Sequence, residues 1–222
     1  LTARPSCERY MPKESLMHHI MFDIDGTLVK SDDFDEDCFI AAVSDVLGHD
    51  IDSNWNSYKD VSDTGILSEH LERKGITSGQ EEIHKAVKKC FITKVQEYLS
   101  DTPAIEVPGA TKLIEEFKKL DSVSISIATG GWLETAILKL ESAGLDVSGI
   151  PIASSNDHYS RTEIMKVARE KANISSTQPI TYFGDAEWDK KASHELGYNF
   201  VLVGNRIKHN NSVDDLRNIN QV

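Results

Sequence analysis

Phe22-Asp23-Ile24-Asp25-Gly26-Thr27-Leu28 decides how this chain reads. The apolar run Ile20-Met21-Phe22 leads into it and has the character of a short buried strand. Asp23 and Asp25 then stand two residues apart where that strand must end, and a strand that continued would point both side chains to one face. Gly26 can take a backbone turn that other residues resist, and Thr27 suits a turn or a helix start. The strand therefore stops with two acids at its carboxyl end, the end at which open α/β sheets bind ligands. Two close carboxylates repel, so a cation, a shared proton or bulk water must compensate. A divalent metal best suits a pair held at a strand tip.

Outward from that stretch the pattern changes twice. After a polar segment, Val29 to Asp33, the residues Phe34, Cys38, Ala41, Ala42 and Val46 recur at helical spacing up to Gly48. Ile66, Leu67 and Leu71 mark a second helix ending near Gly75, and Ile83 through Leu99 mark a longer third. Residues 32–104 thus read as helices only. Beyond them strand and helix alternate. Strands are expected at Val123–Ala128, Ile150–Ala153, Ile180–Phe183 and Phe200–Val203, with helices opening at Pro108-Gly109, near Leu133, at Ser160 and near Trp188. Ser160-x-x-Glu163 has the form of a capping box. This alternation predicts an α/β fold, a doubly wound parallel sheet, with an inserted α-helical segment. Val213 and Leu216 are expected to dock a final turn.

A chain of 222 residues suits one large domain or one domain with an insertion. Hydrophobic residues at 39% and charged residues at 27% suit a packed globular core. A net charge of −12 opposes binding to nucleic acid or an anionic membrane surface. A metal or a few buried cations can still reverse the field for a small anion. Cys7, Cys38 and Cys90 are too few and too widely spaced for a disulfide framework or a zinc site. Cys38 and Cys90 read as small buried hydrophobes, which fits a reducing, cytoplasmic location. No apolar stretch approaches transmembrane length. Residues 1–15 lack a period and read as a flexible leader, and His18 and His19 as a solvated start to the first strand. Oligomeric state is not legible.

Asp23-Ile24-Asp25-Gly26-Thr27-Leu28 resembles the first motif of the haloacid dehalogenase superfamily of phosphohydrolases. Thr129 resembles the second motif, Arg161 the third, and Gly184-Asp185-x-x-x-Asp189 the fourth. The resemblance spans residues 18–204 and implies a Rossmann-like core, residues 16–31 and 105–222, with a small helical cap, residues 32–104. Among members it is nearest in kind to phosphoglycolate phosphatase and beta-phosphoglucomutase. It implies that Asp23 is a nucleophile forming an acyl phosphate. It implies that Asp25 protonates the leaving oxygen and then activates water. The dehalogenase branch lacks this second acid, so Asp25 favours phosphoryl chemistry. The implied cofactor is Mg²⁺, held by the Asp23 carboxylate, the Asp25 main-chain carbonyl and the Asp185 carboxylate, with Asp189 acting through water or as an orienting group.

By the same resemblance Thr129 and the Gly130 N–H receive the phosphate, and Arg161 neutralises it together with Asp23. Thr162 stands where the frequent form of the third motif has Pro, and Lys166 is the alternative cation. The cap implies hinges near 29–33 and 103–108. Glu36, Asp63, Thr64 and Gly65 are candidate substrate contacts, each weighed against a plain structural role. His70 and Arg73 are expected to be solvated, and Trp55, Trp132 and Trp188 to pack. The expected activity is a Mg²⁺-dependent phosphatase for a small phosphorylated metabolite. A phosphosugar mutase using the same aspartyl-phosphate is the alternative. A receiver-like signalling domain is a further one, opposed by its later phosphoacceptor strand and its lack of room for a helical insertion.

Overall fold

The structure, a computed structural model, describes residues 18–221, so the leader expected over 1–15, and Cys7 with it, lies outside the described residues. Strands β1 (His18–Phe22) and β2 (Val29–Lys30) precede helices α1 (Asp32–Leu47), α2 (Asp63–Arg73) and α3 (Gln80–Asp101). Then come β3 (Ile105–Glu106), α4 (Ala110–Phe117), β4 (Val123–Ala128), α5 (Leu133–Ser142) and β5 (Ile152–Ala153). The chain continues through α6 (Arg161–Lys171), β6 (Ile180–Gly184), α7 (Glu187–Leu196), β7 (Asn199–Val203) and β8 (Ser212–Val213) to a 3₁₀ segment, Leu216–Gln221.

Six strands form one sheet in the order β5-β4-β1-β6-β7-β8, and every neighbouring pair is parallel. The strand–helix alternation dictates this, since a parallel neighbour needs a crossover. Alternation along β1 sends Ile20 and Phe22 to one core and Met21 to the other. Ile164, Met165 and Ala168 of α6 and Ala192 of α7 share Met21's core with Tyr182 and Leu202. Leu113 and Ile114 of α4 and Ala136 and Leu140 of α5 share the other with Phe22 and Phe183. Phe22 stacks on Phe183 with ring centroids 5.1 Å apart. Register sets Phe22 opposite Ile127 on β4 and Phe183 on β6. The residues that follow these three strands therefore emerge side by side.

Helices α1 to α3 lie between β2 and β3. Gly48 ends α1 in the left-handed conformation, with its N–H on Ser44 O. Phe39 of α1 meets Phe91 of α3 edge-on at 5.5 Å. Cys38 and Cys90 are half-buried against the same core. The segment 29–33, polar in sequence, is partly strand: Val29 pairs with Glu106 and Lys30 with Ile105, antiparallel. The chain's passages into and out of the helices thus bond to each other, a pairing too short to show a period. Strand β8 was equally illegible, although Leu216 is buried as expected and its N–H reaches Pro108 O at 2.9 Å.

Two histidines depart from expectation. His70 is buried, because it shares the inner arc of α2 with Ile66, Leu67 and Leu71, and its ring lies 5.2 Å from that of His49. Arg73 is exposed, as expected. His19 is fully buried rather than solvated, because β1 is a central strand covered on both faces. Its Nδ1 lies 2.8 Å from Ser124 Oγ and its Nε2 2.8 Å from Ser126 Oγ. Burial, helped by the neighbouring His18, lowers its pKa to about 4.

The folded protein therefore keeps His19 neutral while the unfolded chain binds a proton below about 6.5. Stability is complete above that value and falls as pH drops toward about 4. Chemical melts at about pH 7 and about pH 5 should differ by about 2 kcal/mol from this source. His19→Gln should flatten that pH dependence, and an unchanged slope would refute the assignment.

Candidate active site

Asp23, Thr129 and Asp185 directly follow the central strands β1, β4 and β6, in that order. At Asp23 the chain turns at once: Gly26 has φ +71°, its N–H bonds Val29 O at 2.9 Å, and the Leu28 and Val29 amides both return to Ile24 O. The turn buries Asp23 and leaves Asp25 facing a cavity of about 110 Å³ beneath α1 and α2. Oxygens of Asp23, Asp185 and Asp189, all buried, lie within 4.8 Å of one another. Burial, then the charge of Asp189, pushes the Asp23 carboxyl well above the usual carboxylate range, against the pull of Arg161. A buried acidic set in this state could hold a cation.

Arg161, the first residue of α6, supplies fixed positive charge. Its Nη1 lies 3.2 Å from Asp23 Oδ1 and 3.3 Å from Asp189 Oδ1. Burial opposes that charge, but Asp189 and Asp23 outweigh it and hold the guanidinium protonated. Lys166 pairs with Glu163 at 2.7 Å instead. The expected capping box is absent for that reason: Glu163 turns to Lys166, and Ser160 Oγ meets Thr162 Oγ1 at 3.1 Å. Glycines make the approach possible. A Cβ on Gly130 would lie 2.7 Å from Arg161 Nη2, and one on Gly184 would lie 2.7 Å from Asp189 Cβ. Asp189 accepts from the Ala186 N–H at 3.2 Å and the Tyr182 hydroxyl at 3.3 Å. Thr129 is buried, and its Oγ1 accepts the Gly131 N–H at 3.1 Å, which leaves the hydroxyl proton to donate elsewhere.

The helices close the cavity by direct hydrogen bonds to the sheet loops. Asp63 takes the Trp132 N–H on Oδ2 at 2.7 Å and donates its own N–H to Gly130 O at 2.9 Å. Burial, then the charge of Asp35, raises Asp63 to about 8. Glu36 and Asp63 line the cavity together with Phe39 and Trp55. Thr64 and Gly65 do not. Thr64 is occupied by Ser155 at 2.9 and 3.1 Å and by Trp132 Nε1 at 2.9 Å, while Gly65 packs against Asp60. Trp132 is buried as expected and also holds α2 to the sheet. Trp188 lies at the cavity rim beneath Arg206, 5.5 Å from its ring.

Sequence reasoning missed two cations. Arg206 Nη1 lies 3.1 Å from Asp185 Oδ2, reached from a loop that carries no motif. Lys139 is fully buried on α5, with Nζ 2.6 Å from Asp25 Oδ1 and 2.7 Å from Asp35 Oδ1. Its only signal was its place between Ala136 and Leu140 on the inner arc of the helix. A cavity of about 960 Å³ lies at the opposite, amino ends of the strands, beside His18 and Asn199. Among its described lining residues Glu187 is the sole acid, so it assembles no comparable set.

A parallel α/β sheet with acids gathered at its central strand tips defines a Rossmann-like hydrolase. The family model described as haloacid dehalogenase-like hydrolase matches residues 20–203, and the chain belongs to that family of enzymes. Membership removes the receiver-like alternative. Among solved structures, a hydrolase from Pseudomonas syringae is 20% identical, with 91% of this chain and 96% of that chain covered at a TM-score of 0.73. The beta-phosphoglucomutase pgmB from Clostridium difficile is 19% identical, covering 90% and 92%, with a TM-score of 0.69. A predicted phosphoglycolate phosphatase from Haemophilus somnus 129PT is 18% identical, covering 94% and 98%, with a TM-score of 0.64. At these identities the likeness is one of fold. No curated protein matches the chain in sequence. Among the described residues no helix is long and apolar enough to cross a membrane.

Proposed function

We propose that this hydrolase is a Mg²⁺-dependent phosphatase of a small phosphate monoester, working through an aspartyl-phosphate on Asp23. The meeting of the Asp23, Asp185 and Asp189 oxygens within 4.8 Å, with Arg161 against Asp23, carries this reading. The donors fit Mg²⁺, being hard, anionic oxygens with room left for water and phosphate. Asp23, Asp185 and the Asp25 main-chain carbonyl would hold it, and Asp189, already bonded to Tyr182 and Ala186, would orient from behind. Bound there, Mg²⁺ supplies the charge that keeps the crowded carboxylates ionised and polarises the phosphate.

The chain's own residues do the rest. Asp23 attacks phosphorus while Arg161, the Thr129 hydroxyl and the Gly130 N–H hold the phosphate oxygens. Asp25 gives a proton to the leaving oxygen and later takes one from the attacking water. The helical segment 32–104 is the cap over a core of 16–31 and 105–222, and the β2–β3 ribbon is its hinge. Glu36 and Asp63 are the cap residues placed to meet the substrate. The partner is a small phosphorylated metabolite, and a cytoplasmic setting suits the free, half-buried cysteines.

A phosphosugar mutase would use the same groups. The test is a panel of sugar phosphates, phosphoglycolate, nucleotides and an aryl phosphate, with Mg²⁺ and with chelator. Release of phosphate should fall at least ~100-fold on chelation. Turnover indifferent to the chelator would refute the metal. An isomerised sugar phosphate would establish the mutase instead.

A further inference from the structure

We propose that Lys139 is a positioning residue for the Asp25 carboxyl, and that it ties that carboxyl to the first helix of the cap. This rests on reading Asp25 as the proton carrier. Lys139 has no other evident use. It lies on the inner arc of α5, fully buried, where an aliphatic side chain would pack at no electrostatic cost. Its ammonium instead bridges Asp25 Oδ1 at 2.6 Å and Asp35 Oδ1 at 2.7 Å. The Ser31 hydroxyl donates to the same Asp25 Oδ1.

Two donors on one oxygen set the plane of the carboxyl. Oδ2 is then turned toward the Thr129–Gly131 loop, 3.9 Å from where a Cβ on Gly131 would sit, the loop to which the proposed function gives the phosphate. Asp35 stands in the first turn of α1, five residues beyond Lys30 of the hinge ribbon. The ammonium thus spans the strand-tip turn and the cap, and the carboxyl is fully aligned only while α1 is seated. Alignment matters in both half-reactions. As the ester P–O bond breaks and the Asp23–phosphorus bond forms, the Asp25 proton goes to the leaving oxygen. As water attacks phosphorus and releases the Asp23 carboxylate, Asp25 takes the water's proton.

Lys139→Met keeps the stem and removes the ammonium. With an alkyl phosphate such as glycerol phosphate, kcat should fall ~100-fold, the lower range for a lost general acid, with KM changed less than ~3-fold. Phosphoenzyme formation from nitrophenyl phosphate, whose leaving group needs no proton, should slow less than ~5-fold. Lys139→Arg should recover part of the loss on the alkyl ester. If the single variant does not fold, Lys139→Met with Asp35→Asn removes the ammonium together with the facing Asp35 charge, leaves Asp25, and is measured in the same way. Equal losses on both esters, wild-type rates on both, or a double variant that also fails to fold would overturn the positioning role. A wild-type protein that forms no phosphoenzyme from either ester would overturn the function beneath it.

Discussion

Asp23→Asn should lower turnover by at least ~10⁴-fold, the scale of losing a catalytic nucleophile. The amide keeps the shape of the carboxyl but cannot form an acyl phosphate. The same change removes one charge from the set crowded within 4.8 Å, where burial already disfavours ionisation. Stability without added metal should therefore hold or rise while activity disappears. Phosphate release, acid-quenched phosphoenzyme trapping and thermal melting measure the two effects separately. Turnover that survives would refute the nucleophile. A large loss of stability would refute the account of crowded charge.

Arg161→Met should cost about 3–5 kcal/mol of stability, the scale for removing one partner of a buried ion pair. The guanidinium lies 3.2 Å from Asp23 and 3.3 Å from Asp189, and neither acid has bulk water to replace it. Adding Asp189→Asn should recover part of the loss, because one stranded charge goes with it. Arg161→Lys keeps a charge but not the planar guanidinium whose Nη1 reaches both acids, and should fall between. Urea melts in chelator read stability alone, and repetition in Mg²⁺ shows how much charge a bound cation replaces. A single variant that melts with the wild type in chelator would mean that Arg161 does not compensate the acids.

The backbone plan was legible because it follows from local pattern. Val123–Ala128 and the alternation after Pro108 predict a parallel sheet, and the structure has one. Asp23, Thr129 and Asp185, far apart in sequence, meet because β1, β4 and β6 end side by side, and the start of α6 brings Arg161 against them. Two-residue strands such as β2, β3 and β8 are too short to show a period. Ser160 and Glu163 match a capping box in letters, yet other partners win both side chains. His19 and His70 are polar in sequence, but a central strand and an inner helical arc bury them.

Sequence by itself determined the class of fold, the order of its elements and the acids at the first strand tip. Those depend on periodicity, glycine turns and side-chain charge, which are properties of neighbours along the chain. Tertiary structure alone decided that Lys139 and Arg206 join Arg161 in answering those acids, which cap residues face the cavity and which are spent on docking. Lys139 shows the reason. A lysine on a helix is ordinarily solvated, and only the arrival of Asp25 from the strand-tip turn and Asp35 from α1 makes its burial tolerable. The energy of such a charge is set by partners more than a hundred residues away in sequence.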